Sequence, residues 1–403
     1  MTYDFTTRVN RKEDGSVKWD EMYRKNPGLS PGIVPLSVAD MELLNPPEII
    51  RGLKDHLDKT VLGYAHPTPP YYQALLGWMK KRHNWEIKEE WILEAPGVVP
   101  AFFMAIKALT GSGEGVIVQP PVYYPFFRAI STNGRKLVAN PLVRDEVNLT
   151  YHIDYDDLEA KAKDPNNKLL LFCSPHNPVG RVWKEEELRK VSEICLRNNV
   201  IMLSDEIHFD ILLPGVKHTV YSTLSKEAEQ NCIIFTAPSK TFNLAGMKAS
   251  NLIIPNKEIL ELVRKEFTTN SITGINSLGI KACEIAYSQC EQWFDEFLQV
   301  LKKNRDLVHD YFAKHIPQVK VYRLEGTYLQ WLDFRAFGLD AEALENFMVN
   351  EAEWFTYEGI IFGGEGAGFE RINLACPTAV LEEALERLGK ALAARKICDA
   401  STK

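Results

Sequence analysis

From Pro47 to about Ser288 the chain alternates short, wholly apolar runs with longer stretches of helical period, and few architectures satisfy that alternation. The runs are GVIVQ (115–119), LLLFC (169–173), VIMLS (200–204), CIIFTA (232–237) and NLIIP (251–255). Between them lie helical patterns such as VVPAFFMAIKAL (98–109) and EEELRKVSEICLRN (185–198). A strand without polar alternation needs cover on both faces, which a parallel sheet with crossover helices provides. The fold expected is therefore α/β, with a mostly parallel central sheet flanked by helices.

The flanks have another texture. The first fifty residues are irregular and rich in proline, and a long amphipathic stretch from about Cys283 to His315 leads into VKVYRLEGTYLQWLDF (319–334) and GIIFGGEGAGFERINLA (359–375). The last helical pattern sets Val380, Leu381, Ala384, Leu385, Leu388 and Leu392 on one face. This predicts a large domain over 48–288 and a small α+β domain built from both termini, 1–47 and 289–403.

Charge and composition exclude several partners. A net charge of -7 over 403 residues disfavours nucleic acid and anionic membranes as ligands. The opening MTYDFTTRVNRKEDGS lacks the apolar core of a signal peptide, and no apolar run reaches about eighteen residues, so a cytoplasmic protein is expected. The 7 cysteines are scattered in apolar runs without a C-x-x-C pair, which suits reduced core thiols and no metal site.

In open α/β sheets ligands bind beyond the carboxyl ends of the strands. Here those ends are polar. LLLFC runs into SPHNPVG with Asn177, VIMLS into DEIHFD with Asp205 and His208, CIIFTA into PSK with Lys240, and GVIVQ into PPVYYPF with Tyr123 and Tyr124. Singly, each has a structural explanation: a turn amide before proline, a helix N-cap, a core histidine, a surface lysine, packing tyrosines. An acid, an amide, an aromatic and a lysine at one rim together point to catalysis. Gly97, Val98 and Val99 open a helical pattern, where free N–H groups attract anions. No G-x-G-x-x-G follows a strand, and there is no P-loop, H-E-x-x-H or G-x-S-x-G.

These segments resemble the fold-type I family of pyridoxal-phosphate enzymes, the aminotransferase superfamily, over Tyr3 to about Leu392. Within it, PLSVADMELLNPPE, VLGY, GVVPAFF, PVYYPFF, LFCSPHNPVGRVW, SDEIHFD, TAPSKTFNLAGM, EGTYLQW and GFERINLACP are similar to the cystathionine β-lyase group, nearest the cystalysin-type cysteine carbon-sulfur lyases. The resemblance implies that Lys240 bonds the aldehyde of pyridoxal 5'-phosphate and, once displaced, removes the substrate Cα proton. It sets Asp205 against the ring nitrogen, Asn177 and His208 at the ring hydroxyl, and Tyr123 on the ring face. A carboxylate about 4 Å from that nitrogen, at an effective dielectric of about 20, favours its protonated form by roughly 4 kcal/mol.

For the phosphate, the resemblance implies the N–H groups of Gly97, Val98 and Val99, with Tyr64 contributed by the neighbouring subunit of a homodimer with shared active sites. Ala237 stands where a phosphate-binding serine is common, which leaves Ser239 or Thr236 as substitutes, and Lys248 stands where many relatives carry arginine. Arg371 is the candidate for the substrate α-carboxylate, since a guanidinium fork matches it bidentately. Its alternative is a surface partner for Glu370. Tyr124 and the neighbour's Tyr64 would line the substrate pocket. The implied reaction is α,β-elimination of L-cystathionine, L-cysteine or related S-substituted cysteines to pyruvate, ammonia and a thiol or sulfide. A transaminase on the same scaffold is the main alternative. A non-catalytic relative would be expected to have lost Lys240 or Asp205, and both are present.

Overall fold

The computed structural model describes residues 1–272 and 274–395, which leaves Cys398 outside the described residues. In chain order the strands are β1 (Ile92–Ala95), β2 (Gly115–Val118), β3 (Lys136–Ala139), β4 (Val143–Asp145), β5 (Thr150–His152), β6 (Asn167–Cys173), β7 (Ile201–Asp205), β8 (Cys232–Thr236), β9 (Ser250–Ile253), β10 (Lys320–Val321), β11 (Leu329–Asp333), β12 (Tyr357–Glu358) and β13 (Phe369–Asn373).

Seven of them form one sheet in the order β1-β9-β8-β7-β6-β2-β3. β8, β7, β6, β2 and β3 are parallel to one another. Successive side chains divide between two cores, one on each face: Leu169, Leu171 and Cys173 on one side, Leu170 and Phe172 on the other. That is why these runs show no polar alternation.

Two features differ from the sequence expectation. β9 runs antiparallel to both its neighbours, β8 and β1. The chain between β8 and β9 holds only the four-residue helix Pro238–Thr241 and a single turn at Ala245–Met247, too little helix to return along the sheet. The strands β1 and β3 were not apparent in the sequence, because β1 carries Glu94 in its middle and β3 buries one residue of four.

A second, four-stranded antiparallel sheet has the order β10-β11-β13-β12. The N-terminal segment is laced to it: Leu36 N donates to Phe355 O at 2.7 Å, Asn373 N to Leu36 O at 2.8 Å, and Glu42 N to Ala375 O at 2.9 Å. The helix Glu291–His315 packs alongside, and its buried Asn304 donates to Leu374 O and Cys376 O, both at 2.8 Å. The amphipathic stretch expected from Cys283 is two helices, Ser277–Gln289 and Glu291–His315, divided at Cys290. Six described cysteines are buried and unpaired. Among the described residues no helix is long and apolar enough to cross a membrane, and no cluster of side chains is arranged to hold a metal ion.

Candidate active site

Strands β1, β2, β6, β7 and β8 end at one rim of the large sheet, and antiparallel β9 begins there. A cavity of about 300 Å³ opens at this rim, near the lower end of the size range of small-molecule sites. Lys240, Asp205, Asn177, His208 and Tyr123 all line it.

Lys240 sits in the first turn after β8, on the helix Pro238–Thr241. The next residue, Thr241, anchors that turn from behind: its Oγ1 donates to Asp210 Oδ2 at 2.7 Å, while Asp210 Oδ1 takes Trp78 Nε1 at 3.1 Å and lies 2.6 Å from His83 Nε2. On the cavity side Lys240 Nζ donates to Ala39 O at 2.6 Å. Burial pushes its ammonium down to about 8, against the pull of the Asp40 carboxylate. A lysine so placed is a proton acceptor near neutral pH.

Asp205 closes β7 and is buried, with Oδ1 accepting from Ile207 N at 3.2 Å. It caps a turn, since residues 206–210 form no helix. Burial pushes its carboxyl up to about 7, although the Lys240 charge acts in the other direction. His208, buried two positions short of Asp210, is held neutral first by burial and then by the charges of Lys240 and Arg371, and its Nδ1 has no hydrogen-bond partner. Asp205, and His208 with its free Nδ1, are thus polar groups on the cavity wall that need a polar occupant.

Arg371 lies on β13 in the other sheet, 1% exposed. Its Nη1 donates to Asn177 Oδ1 at 2.9 Å and its Nη2 to Ser37 O at 3.0 Å, while Nε is unpartnered. The guanidinium lies over the rings of Tyr357 (5.0 Å) and Phe362 (4.9 Å). It does not pair with Glu370, whose carboxylate accepts from Thr356 Oγ1 at 2.6 Å, because neighbours on a strand face opposite ways. Burial lowers even this guanidinium, to about 10. A buried arginine with no carboxylate beside it is costly, and a bound acid would relieve that cost.

Arg371 is not itself on the cavity wall, part of which is suited to an anion. Gly97 adopts φ 139°, a conformation favouring glycine, and precedes the helix Val98–Leu109 without any side-chain cap. Gly97, Val98 and Val99 line the cavity with Ser239 and Lys248, whereas Thr236 is fully buried behind it. Tyr124 is not on the cavity wall. It is 37% exposed and meets Tyr357 and Phe362 edge-on, beside Arg371. Tyr64 is fully exposed and far from enclosed by its own chain.

Three contributors were missed in the strand-end survey. Ala39 lines the cavity through a segment with no strand pattern; Tyr328 OH donates to Ala39 O at 3.0 Å; and Asp210 supports Lys240 from behind. The motifs PLSVADM, EGTYLQW and DEIHFD contain all three, so the signal was present as resemblance but not as chemistry.

The chain is similar to known proteins over nearly its whole length. The chain is 39% identical over 396 residues to cystathionine beta-lyase PatB of Bacillus subtilis, covering 96% of this chain and 100% of that protein. The crystal structure of cystalysin from Treponema denticola, which contains a pyridoxal 5'-phosphate cofactor, superposes with a TM-score of 0.96 at 51% identity, covering 98% of this chain and 100% of that one. The pyridoxal-phosphate-bound C-S lyase from Staphylococcus hominis gives a TM-score of 0.89 at 29% identity, over 97% of this chain and 98% of that one. The family described as aminotransferase class I and II matches residues 31–388, and the chain belongs to it.

Proposed function

We propose that this chain is a pyridoxal-phosphate-dependent carbon-sulfur β-lyase, which cleaves L-cystathionine, L-cysteine or related S-substituted L-cysteines to pyruvate, ammonia and a thiol or sulfide. The observation that carries this is the pairing of a lysine on the cavity wall, poised to accept a proton, with a buried arginine behind that wall, bonded to Asn177 and with no carboxylate of its own. The likeness to PatB and cystalysin supports the lyase over other reactions of the family.

The walls fit the cofactor. Lys240 would hold it covalently through Nζ, Asp205 at the ring nitrogen, and Asn177 and His208 at the ring hydroxyl. Tyr123 would lie on the ring face, an offset contact contributing about 0.5 to 1.5 kcal/mol. The N–H groups of Gly97, Val98 and Val99, with Ser239 and Lys248, would hold the phosphate. When bound, the group supplies a positively charged ring that withdraws electrons from the substrate Cα.

The protein's own part follows from its charges. Arg371 takes the substrate α-carboxylate between Nη1, Nη2 and the free Nε, and so fixes the direction of the Cα–H bond. Neutral Lys240 accepts that proton at Nζ. The released electron pair forms the Cα–Cβ double bond as sulfur departs with the Cβ–S pair, and hydrolysis of the resulting enamine yields pyruvate and ammonia. Tyr124, beside Arg371, would contact the substrate side chain.

We take the working form to be a cytoplasmic homodimer with shared sites. Tyr64 is fully exposed in company with Val61 (89%) and Leu62 (64%), an apolar display that suits contact with a second copy, whose phosphate and substrate Tyr64 would reach. Six buried, unpaired thiols suit a reducing compartment. The large domain, 48–288, would carry the cofactor and the small one, 1–47 with 289–403, the carboxylate clamp.

The test is pyruvate release from L-cystathionine and L-cysteine by purified holoenzyme with no 2-oxo acid present. Stoichiometric pyruvate and thiol or sulfide is expected. Turnover that begins only when a 2-oxo acid is added would replace the lyase with a transaminase.

A further inference from the structure

One backbone segment touches both of the groups that act on the substrate. Between Leu36 and Asp40 every carbonyl accepts a hydrogen bond from outside the segment. Leu36 O takes Asn373 N at 2.8 Å, Ser37 O takes Arg371 Nη2 at 3.0 Å, and Val38 O takes Asn373 Nδ2 at 2.8 Å. Ala39 O takes Lys240 Nζ at 2.6 Å and Tyr328 OH at 3.0 Å, and Asp40 O takes Lys18 Nζ at 3.0 Å. The candidate base, on the turn after β8, and the candidate carboxylate clamp, on β13 of the second sheet, are therefore bonded to carbonyls two residues apart on a single stretch of chain.

We propose that the Ser37–Ala39 backbone sets the distance between Lys240 and Arg371, that Ala39 O is the resting site of the Lys240 amine whenever it is not covalently engaged, and that Tyr328 is the positioning residue holding that carbonyl in place. This rests on the lysine being the base, as in the reading above. A neutral amine that donates one N–H to Ala39 O keeps its lone pair directed away from that carbonyl. Without such a tether a four-carbon side chain samples many rotamers, and proton transfer needs a narrow range of approach.

Tyr328 is well built for the task. It is 1% exposed, burial keeps its phenol protonated and hence a donor, and its backbone carbonyl accepts Leu374 N at 2.8 Å. Its ring meets His208 edge-on at 5.7 Å, which fixes the ring from the cofactor side of the cavity. Replacement by phenylalanine removes one hydroxyl and leaves the ring and these backbone bonds unchanged.

The experiment is exchange of the α-proton of L-alanine, which has no leaving group, by holoenzyme in deuterated water, followed by proton NMR. The Cα–H bond breaks to Lys240 Nζ and a solvent deuteron returns, so the assay reads proton transfer whether or not the enzyme eliminates. Tyr328→Phe is expected to lower the saturated exchange rate about threefold to tenfold, the range one neutral hydrogen bond supports, with KM unchanged within about twofold. An unchanged rate overturns the proposal. So does a loss that appears equally in KM and is accompanied by a lowered melting temperature, which would show general loosening. Wild-type exchange without pyruvate release from cystathionine would refute the lyase alone. Absence of wild-type exchange would remove Lys240 as the base, and this proposal with it.

Discussion

The Lys240 amine gives the most discriminating pH experiment. Burial lowers it from the ordinary 10.5 to about 8, a destabilisation of the ammonium by about 3 kcal/mol. The neutral fraction is then about one-tenth at pH 7, one-half at pH 8 and nine-tenths at pH 9. In the cofactor-free protein, acetylation of Lys240 by acetic anhydride, followed by mass spectrometry, should rise about tenfold per unit below pH 7, about fivefold from pH 7 to 8, and less than about twofold from there to pH 10. An ordinary lysine would instead give a climb of about tenfold per unit continuing past pH 9, and that profile would refute the assignment of a depressed, cavity-bound base. Stability supplies an independent arm. Between about 8 and 10.5 the unfolded chain binds the proton that the folded site refuses, so stability rises with pH across that window and the cost is full below it. Lys240→Met apoprotein should therefore be more resistant to urea than wild type below about pH 8, with the gap closing towards pH 10.5.

Asp205 behaves in the opposite sense. Its folded carboxyl is raised from 3.8 to about 7, so wild-type apoprotein loses stability as pH rises through that window, and Asp205→Asn should be the more stable above it by up to about 4 kcal/mol in urea titrations. The same variant should bind cofactor yet turn over about a thousandfold more slowly, the loss of a roughly 4 kcal/mol ring-nitrogen interaction; near-normal turnover would remove Asp205 from that role. Arg371→Lys should lower kcat/KM for cystathionine about tenfold to a hundredfold by losing the fork, and an unchanged value would assign the α-carboxylate elsewhere. Lys240→Ala and Tyr64→Ala should each be inactive, but subunits mixed after unfolding and refolding should recover about a quarter of wild-type activity, since half the dimers would carry one intact shared site. Persistent inactivity of the mixture would show that Tyr64 serves its own chain or none.

How much of this was legible follows from what each residue does. β6, β7 and β8 were visible because both of their faces are buried and whole runs became apolar. The strand-end residues were visible as a consequence, since a parallel sheet sends consecutive strand termini to one rim. β3 was not, because an edge strand that buries only Val138 looks like a loop, and the reversal of β9 depends on a short connection that carries no apolar signature. The contact of the glycine-rich stretch before β13 was not visible either: Val122 N donates to Phe362 O at 2.8 Å, which ties that stretch to the loop holding Tyr123. Ala39 was least visible of all, since what it contributes is a carbonyl oxygen, which every residue has.

That last case separates two kinds of information in the chain. The charged side chains declare the chemistry, and Lys240, Asp205 and Arg371 could be nominated from their neighbours. Their mutual placement is set by uncharged backbone atoms of a segment more than two hundred residues away from Lys240 in sequence. Asn373 binds that segment three times, through N to Leu36 O and through Nδ2 to Val38 O and Asp40 O, each at 2.8 Å. It stands two positions after Arg371 on the same strand, and so faces the same side of the sheet. Any shift of the small sheet that moves Arg371 must therefore drag residues 36–40 with it, and with them the carbonyl that holds Lys240. The clamp and the carbonyl that tethers the amine consequently move together, whereas the backbone of Lys240 stays with the large sheet through Thr241 and Asp210, so a displacement of the small sheet would reach the base only through Ala39 O.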